Sequence, residues 1–104
     1  MYRVTKRDGT IAEFDIAKIS AAITKAFDAM GKQYHPSIMD MLALRVTAAF
    51  EPKIRDELVA VEDIQDCVEQ VLSEAGYADV AKAYILYRKQ REKVRNVGST
   101  LLNY

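Results

Sequence analysis

The sequence has few of the residues that build metal centres and disulfides. Its 104 residues include one cysteine, Cys67, one histidine, His35, and no tryptophan. A single cysteine cannot form an intramolecular disulfide, and Cys67 has no CxxC partner for zinc. We therefore expect Cys67 to be a small buried hydrophobic residue, and we expect no metal cluster.

Long hydrophobic runs are also missing. Charged residues interrupt every apolar stretch, and Met1 leads into a basic segment with the pattern of a strand and not into a signal sequence. The length of 104 residues allows one domain with a modest core. These features indicate a soluble cytoplasmic protein that does not contact a membrane.

Neither sign of charge is in excess, because fifteen basic residues balance fifteen acidic ones. This balance argues against a surface that binds nucleic acid by bulk electrostatics. The distribution is uneven. Acidic residues outnumber basic ones in residues 51–79, whereas the segment from Lys82 to Arg95 contains six basic residues and a single acidic one, Glu92. Either the basic chain ends meet in a cationic pocket, or the last helix carries a solvated basic face.

The strongest local signal is Asp8-Gly9, which favours a two-residue hairpin turn between strands at residues 2–7 and 10–14. Asp15 is a good N-cap for a helix from Ile16 to Met30. Lys6, Arg7 and Lys18 would then converge near a helix N-terminus, where backbone N–H groups favour an anion. The pattern predicts a phosphate site.

The remaining elements follow from apolar spacing. A second helix should run to Phe50 with Pro36 in its first turn, and residues 57–61 should form a strand that joins the hairpin. Third and fourth helices are expected on either side of Gly76, with Tyr84 and Tyr87 facing the core. Residues 96–104 lose helical spacing but keep apolar side chains, so we interpret them as a connector toward a C-terminal domain.

Three separated blocks resemble the ATP-cone domain. The first contains Lys6-Arg7-Asp8-Gly9 and Phe14-Asp15-x-x-Lys18-Ile19, the second begins at Val61-Glu62-Asp63-Ile64-Gln65, and the third contains Tyr84-Ile85-x-Tyr87-Arg88. The resemblance spans residues 1–95. It implies a mainly helical α+β fold, a four-helix bundle capped by a small three-stranded sheet.

ATP-cones are allosteric ATP/dATP sensors of ribonucleotide reductases, and one occurs in a repressor of reductase genes. The resemblance therefore implies a non-catalytic regulatory domain with ATP or dATP as effector, accompanied by Mg²⁺. Its partners would be the catalytic domain of the same polypeptide and a second cone. Residues 84–91 and the tail are most similar to the anaerobic ribonucleoside-triphosphate reductase; an aerobic reductase is the alternative, and the lack of a preceding four-cysteine ribbon disfavours the repressor.

The resemblance also implies roles for individual residues. Lys6 and Arg7 would lie near the base and phosphates, Lys18, Arg88 and Arg91 would bind phosphates, and Gln65 would approach the ribose or phosphates. The adenine slot would be lined by the backbone around Val4 and by the side chains of Ile19 and Ile64, and Val61 would approach the nucleotide. Glu13 and Asp15 are candidates for the ribose hydroxyls or the base amine.

Two departures from the family pattern affect these roles. An acidic residue often found three positions after the hairpin glycine is replaced by Ala12, and Val61 replaces a hydroxyl-bearing residue.

Two other function classes are considered for this chain. A kinase or ATPase is disfavoured because the GxxxxGK[ST] loop is missing, whereas a helical docking module without nucleotide binding stays open.

Overall fold

The computed structural model describes the backbone of residues 2–96 and the side chains of residues 2–90. Two strands open the chain, a third strand lies between the second and third helices, and a short 3-10 turn, Glu51–Lys53, follows the second helix. The elements are β1 (Arg3–Thr5), β2 (Ile11–Glu13), α1 (Ile16–Ala29), α2 (Pro36–Phe50), β3 (Leu58–Ala60), α3 (Val61–Glu74) and α4 (Ala78–Asn96). This order confirms the predicted one, although all but the first residue of the predicted connector 96–104 lies outside the described residues.

The sheet has the strand order β2-β1-β3, so the predicted third strand does join the hairpin. β1 pairs with β2 antiparallel, with Val4 opposite Ala12, and with β3 parallel, with Val4 opposite Val59. Val4 and Val59 are both buried and belong to the same core as the helices. The sheet therefore caps the bundle, as the fold class predicted.

The predicted two-residue hairpin turn is wrong by one residue. The Lys6 amide still donates to the Thr10 carbonyl at 2.8 Å, and the Gly9 amide donates to the Lys6 carbonyl at 3.0 Å. The loop therefore has three residues, Arg7-Asp8-Gly9, with Gly9 at a φ of +88°. A turn followed by a left-handed residue is the usual three-residue hairpin loop, which explains why Asp-Gly alone misjudged its length.

A second tight turn leads into β3. Asp56 and Glu57 both adopt positive φ, 53° and 63°, between Arg55 and Leu58, whose backbones exchange two hydrogen bonds of 2.8 Å. The Glu57 carbonyl accepts a hydrogen bond from the Arg3 amide at 2.8 Å. This strained pair of residues thus fixes where β3 meets β1.

The helices begin where local chemistry favours a start. Asp15 is the N-cap of α1, since its carboxylate accepts a hydrogen bond from the Ala17 amide at 3.0 Å. His35 caps α2 in the same way, through Nδ1 and the Ser37 amide, and Pro36 is its first residue. Both starts confirm the predicted ones.

The core lies between four helices, in which α1 packs against α2 and α4, and α3 packs against α2 and α4. Cys67 is 1% exposed, so its predicted role as a buried hydrophobic residue is confirmed, and burial raises the pKa of its thiol. Tyr84 is fully buried in the same core. Within residues 2–96, none of the helices combines the length and apolar character that crossing a membrane would require.

Candidate functional site

The hairpin loop meets the first turns of α3 through Arg7. Its Nη2 donates a hydrogen bond of 2.7 Å to Oε1 of Gln65, and its Nη1 lies 3.3 Å from Oε2 of Glu62. The Arg7 side chain is 17% exposed, and Gln65 is the one buried polar residue among those that the structure describes. The structure therefore brings together two predicted site residues that are 58 positions apart in the sequence.

A second arginine also contacts α3. Nη1 of Arg88, on α4, lies 2.8 Å from Oδ1 of Asp66 and 2.6 Å from Oε2 of Glu69. Burial alone would lower the pKa of the Arg88 guanidinium, but these two hydrogen-bonded carboxylates raise it above its usual value. Arg88 is therefore a permanent cation held against α3.

Arg7 and Arg88 line a common cavity of about 310 Å³. The cavity lies where the hairpin loop, α3 and α4 meet, and its walls are Arg7, Glu62, Glu69, Ile85, Arg88 and Lys89. Its volume falls at the lower end of the range for small-ligand sites. Arg7 from the N-terminal part of the chain thus lies near Arg88 and Lys89 from α4. One of the two interpretations of the charge pattern predicted such a meeting.

The cavity is not purely cationic, however. The carboxylates of Glu62 and Glu69 share its wall with the cations, and Asp66 binds the same guanidinium as Glu69. Sequence reasoning did not assign these acids or Lys89 to the site. The signal was present, because residues 62, 66 and 69 recur at the spacing of one helix face beside Gln65.

The two predicted phosphate-binding lysines lie elsewhere around the hairpin. Lys6 directly follows β1 and is partly buried, and Lys18 lies in the first turn of α1. Neither residue is among those that line the cavity around Arg7 and Arg88. The side chain of Arg91 lies outside the described residues.

The residues predicted to line an adenine slot are packed into the core. Val4, Ile19 and Ile64 have no exposed surface, and Val61, which was predicted to approach the nucleotide, is 7% exposed. A base could contact the side chains of Ile19 and Ile64 only after neighbouring groups moved aside. Their role as nucleotide contacts stays a prediction.

The two predicted acidic contacts have partners within the fold. Glu13 lies opposite Arg3 on the neighbouring strand, with 3.8 Å between their charged atoms. Asp15 serves as the N-cap of α1. Contact between either carboxylate and a nucleotide also stays a prediction.

Comparison with known proteins gives the family. The profile of the ATP cone domain matches residues 2–93. The chain is 42% identical over 99 residues to a vitamin B12-dependent ribonucleoside-diphosphate reductase of Mycobacterium tuberculosis, which covers 95% of this chain and 14% of that protein. It is 42% identical over 98 residues to a ribonucleoside-diphosphate reductase subunit alpha of Chlamydia pneumoniae, covering 88% of this chain and 9% of that protein.

An anaerobic ribonucleoside-triphosphate reductase of Haemophilus influenzae is 34% identical over 103 residues, with 96% of this chain and 14% of that protein covered. The chain thus spans between 9% and 14% of the length of these three relatives. The match to the domain profile covers nearly all of the residues that form the sheet and the bundle. The chain belongs to the ATP-cone family.

Proposed function

We propose that this chain is an ATP- and dATP-binding regulatory domain that controls the overall activity of a ribonucleotide reductase. The observation that carries the proposal is the convergence of Arg7 and Arg88 on one cavity, with Gln65 hydrogen-bonded to Arg7 beside it, in a chain of this family. A triphosphate carries close to four negative charges, which several guanidinium and ammonium groups can balance.

Each group has a role in this proposal that follows from its position. Arg7 and Arg88 offer planar N–H donors to phosphate oxygens, and Lys18 and Arg91 add charge from α1 and α4. Gln65 already accepts from Arg7 through Oε1, so its Nε2 is the donor left for a ribose or phosphate oxygen. Lys6 would add charge from the position that follows β1.

Magnesium would arrive with the nucleotide. Among the described residues, no group of three or more metal-ligating side chains could hold an ion without other ligands. Mg²⁺ usually keeps several waters and binds through substrate phosphates with few protein ligands. The protein residues therefore fit Mg²⁺ as a companion of the triphosphate, where it would neutralise phosphate charge.

Regulation would work as a shift between two arrangements. ATP and dATP differ by one hydroxyl, and a net hydrogen bond contributes about 0.5–1.5 kcal/mol, roughly a factor of two to ten in affinity. Such a difference controls an enzyme only if each nucleotide prefers a different arrangement of the domain. We propose that dATP favours the inhibited arrangement and ATP the active one, through contacts with a catalytic domain of the same polypeptide or with a second cone in the cytoplasm.

The class of reductase is a separate part of the proposal. Residues 84–91 predict an anaerobic ribonucleoside-triphosphate reductase, and one relative of that class is 34% identical. The higher identity of 42% to a vitamin B12-dependent enzyme favours that class as the alternative. The coding sequence beyond Tyr104 would distinguish them, because a glycyl-radical core is expected in the first case alone.

Isothermal titration of the 104-residue chain with ATP and dATP tests the binding claim. With Mg²⁺ present, we expect both nucleotides to bind competitively with micromolar affinity, and we expect Lys6→Ala and Lys18→Ala to weaken binding. Lys53→Ala is the matched control, since Lys53 is exposed in the 3-10 turn beyond α2. Absence of heat with either nucleotide would falsify the claim.

A docking module is the second candidate, because one groove between α1 and α4 is largely apolar. The groove has a volume of about 410 Å³ and includes Met30, Leu86 and Tyr87, and the Leu86 side chain is 62% exposed. Exposed apolar surface of this kind is common at protein interfaces. A domain that only docks would show no change of melting temperature with ATP, whereas a nucleotide sensor would.

A further inference from the structure

Three carboxylates of α3 hold the two arginines of the cavity. Glu62, Asp66 and Glu69 follow one another at intervals of four and three residues, so they form one line along the helix, here called the carboxylate stripe. Glu62 binds Arg7 at 3.3 Å, whereas Asp66 and Glu69 bind Arg88 at 2.8 and 2.6 Å. Every member of the stripe is therefore paired with a guanidinium that an incoming anion would need.

The arginines are more enclosed than all three of the acids that hold them. The side chains of Arg7 and Arg88 are each 17% exposed, whereas those of Glu62 and Asp66 are 57% exposed and that of Glu69 is 27% exposed. A carboxylate can therefore turn toward water while the guanidinium stays at the cavity wall. Since an arginine does not lose its proton, only another anion can take the place of the carboxylates.

We infer that the carboxylate stripe is an internal competitor that occupies the anion-binding arginines until a polyphosphate displaces it. The inference rests on the proposed nucleotide-binding function. It adds what limits the affinity for ATP and how that limit depends on the number of phosphate groups in the ligand. The stripe carries three negative charges, and a triphosphate carries at least as many. A triphosphate can thus replace all three carboxylates, whereas a monophosphate leaves part of the stripe in place.

The carboxylate stripe has opposite effects on the stability of the empty domain and on its affinity for anions. It stabilises the empty domain by satisfying two enclosed cations, and it lowers the affinity for every anion by the free energy of the ion pairs that must break. It lowers the affinity for ATP most, because ATP displaces all three carboxylates whereas AMP leaves part of the stripe in place. Weakening the stripe should therefore raise the affinity for ATP more than that for AMP and widen the preference for ATP over AMP.

Titration of the full 104-residue chain and of Glu69→Gln tests the inference. We expect Glu69→Gln to tighten binding of ATP with Mg²⁺ about fivefold, the equivalent of one partly exposed ion pair, and to increase the affinity ratio of ATP to AMP. The matched control is Glu74→Gln, which removes the same charge from the same helix at a residue whose partner is Gln70, 3.1 Å away. The control should change the affinity less than twofold.

A double-mutant cycle identifies the cation responsible. If Glu69 acts by occupying Arg88, Glu69→Gln should give no gain in affinity when combined with Arg88→Gln. Unchanged or weaker ATP binding by a folded Glu69→Gln variant would overturn the inference and leave nucleotide binding intact. If Glu69→Gln does not fold, Asp66→Asn replaces it, with the same expected gain.

Inorganic tripolyphosphate separates this inference from the proposed function. If the parent chain binds tripolyphosphate but not ATP, and Glu69→Gln strengthens that binding, the competitor is real and the nucleotide assignment is wrong. If neither probe binds the parent chain or the variant, both proposals fail.

Discussion

Replacement of Tyr84 by phenylalanine should stabilise the domain. Tyr84 is fully buried between α4 and the rest of the bundle, and no described residue offers its hydroxyl a hydrogen bond. Burial also raises the pKa of this phenol well above its ordinary value, so the group is neutral at pH 7. The hydroxyl thus loses its hydrogen bonds to water on folding and gains no hydrogen bond to a described residue.

The size of the effect follows from that loss. A buried hydroxyl without a partner costs about 1–3 kcal/mol, and the small void left by its removal offsets part of the gain. We therefore expect Tyr84→Phe to raise the free energy of unfolding by about 1 kcal/mol, and a change of that size shifts the melting temperature of a domain of this length by roughly 4 °C or more.

Urea unfolding followed by circular dichroism measures the difference, and Tyr34→Phe provides the control. Tyr34 carries a partly exposed ring whose hydroxyl donates to Asp28 at 3.3 Å, so its loss should leave the stability unchanged or slightly lower. If Tyr84→Phe instead lowers the free energy of unfolding by 1 kcal/mol or more, the hydroxyl has a hydrogen-bonding partner and the reasoning is wrong.

Three further measurements test other features of the fold. Glu57→Gly should raise the free energy of unfolding by about 1 kcal/mol in urea, because glycine adopts the positive φ of 63° without strain; a loss of stability would contradict this account. Cys67 should react with a thiol reagent at pH 8 only as fast as the domain opens, so urea should accelerate the reaction, and fast labelling of the native chain would refute its burial. The hydrogen bond from Lys32 lowers the pKa of Asp79 below 3.8, so this contact stabilises the fold above that pH and is lost as the pH falls through the lowered pKa. Asp79→Asn should accordingly melt lower than the parent at pH 7 and differ less from it below pH 3.8, and an equal difference at both pH values would be inconsistent with this role.

Most of the architecture was predictable because local signals agreed with the global fold. Asp15, Pro36 and the glycine after α3 mark element ends through backbone chemistry that does not depend on tertiary contacts. The hairpin loop was misjudged by one residue because Asp-Gly suits both two- and three-residue loops. The pairing of Lys6 with Thr10, which local sequence does not specify, decides between them.

The site was harder to predict than the fold. Charge asymmetry allowed either a solvated basic face on the last helix or a meeting of basic residues from both ends, and Arg7 and Arg88 do share a cavity. The spacing of Glu62, Asp66 and Glu69 places them on one face of α3, but a run of acids on an amphipathic helix usually faces solvent, so their role as counterions was missed. Only the packing of α3 between the hairpin loop and α4 turns these acids toward the arginines.

The parallel pairing of β1 with β3 has a consequence for the order of folding. Arg3 aligns with Leu58, so this ladder closes only after the intervening chain, with α1 and α2, has been brought back on itself. Closing so long a segment costs conformational entropy before the contacts between β1 and β3 can offset that cost. Early folding species should therefore hold helices without the sheet, and hydrogen exchange at the Arg3 amide should acquire protection late.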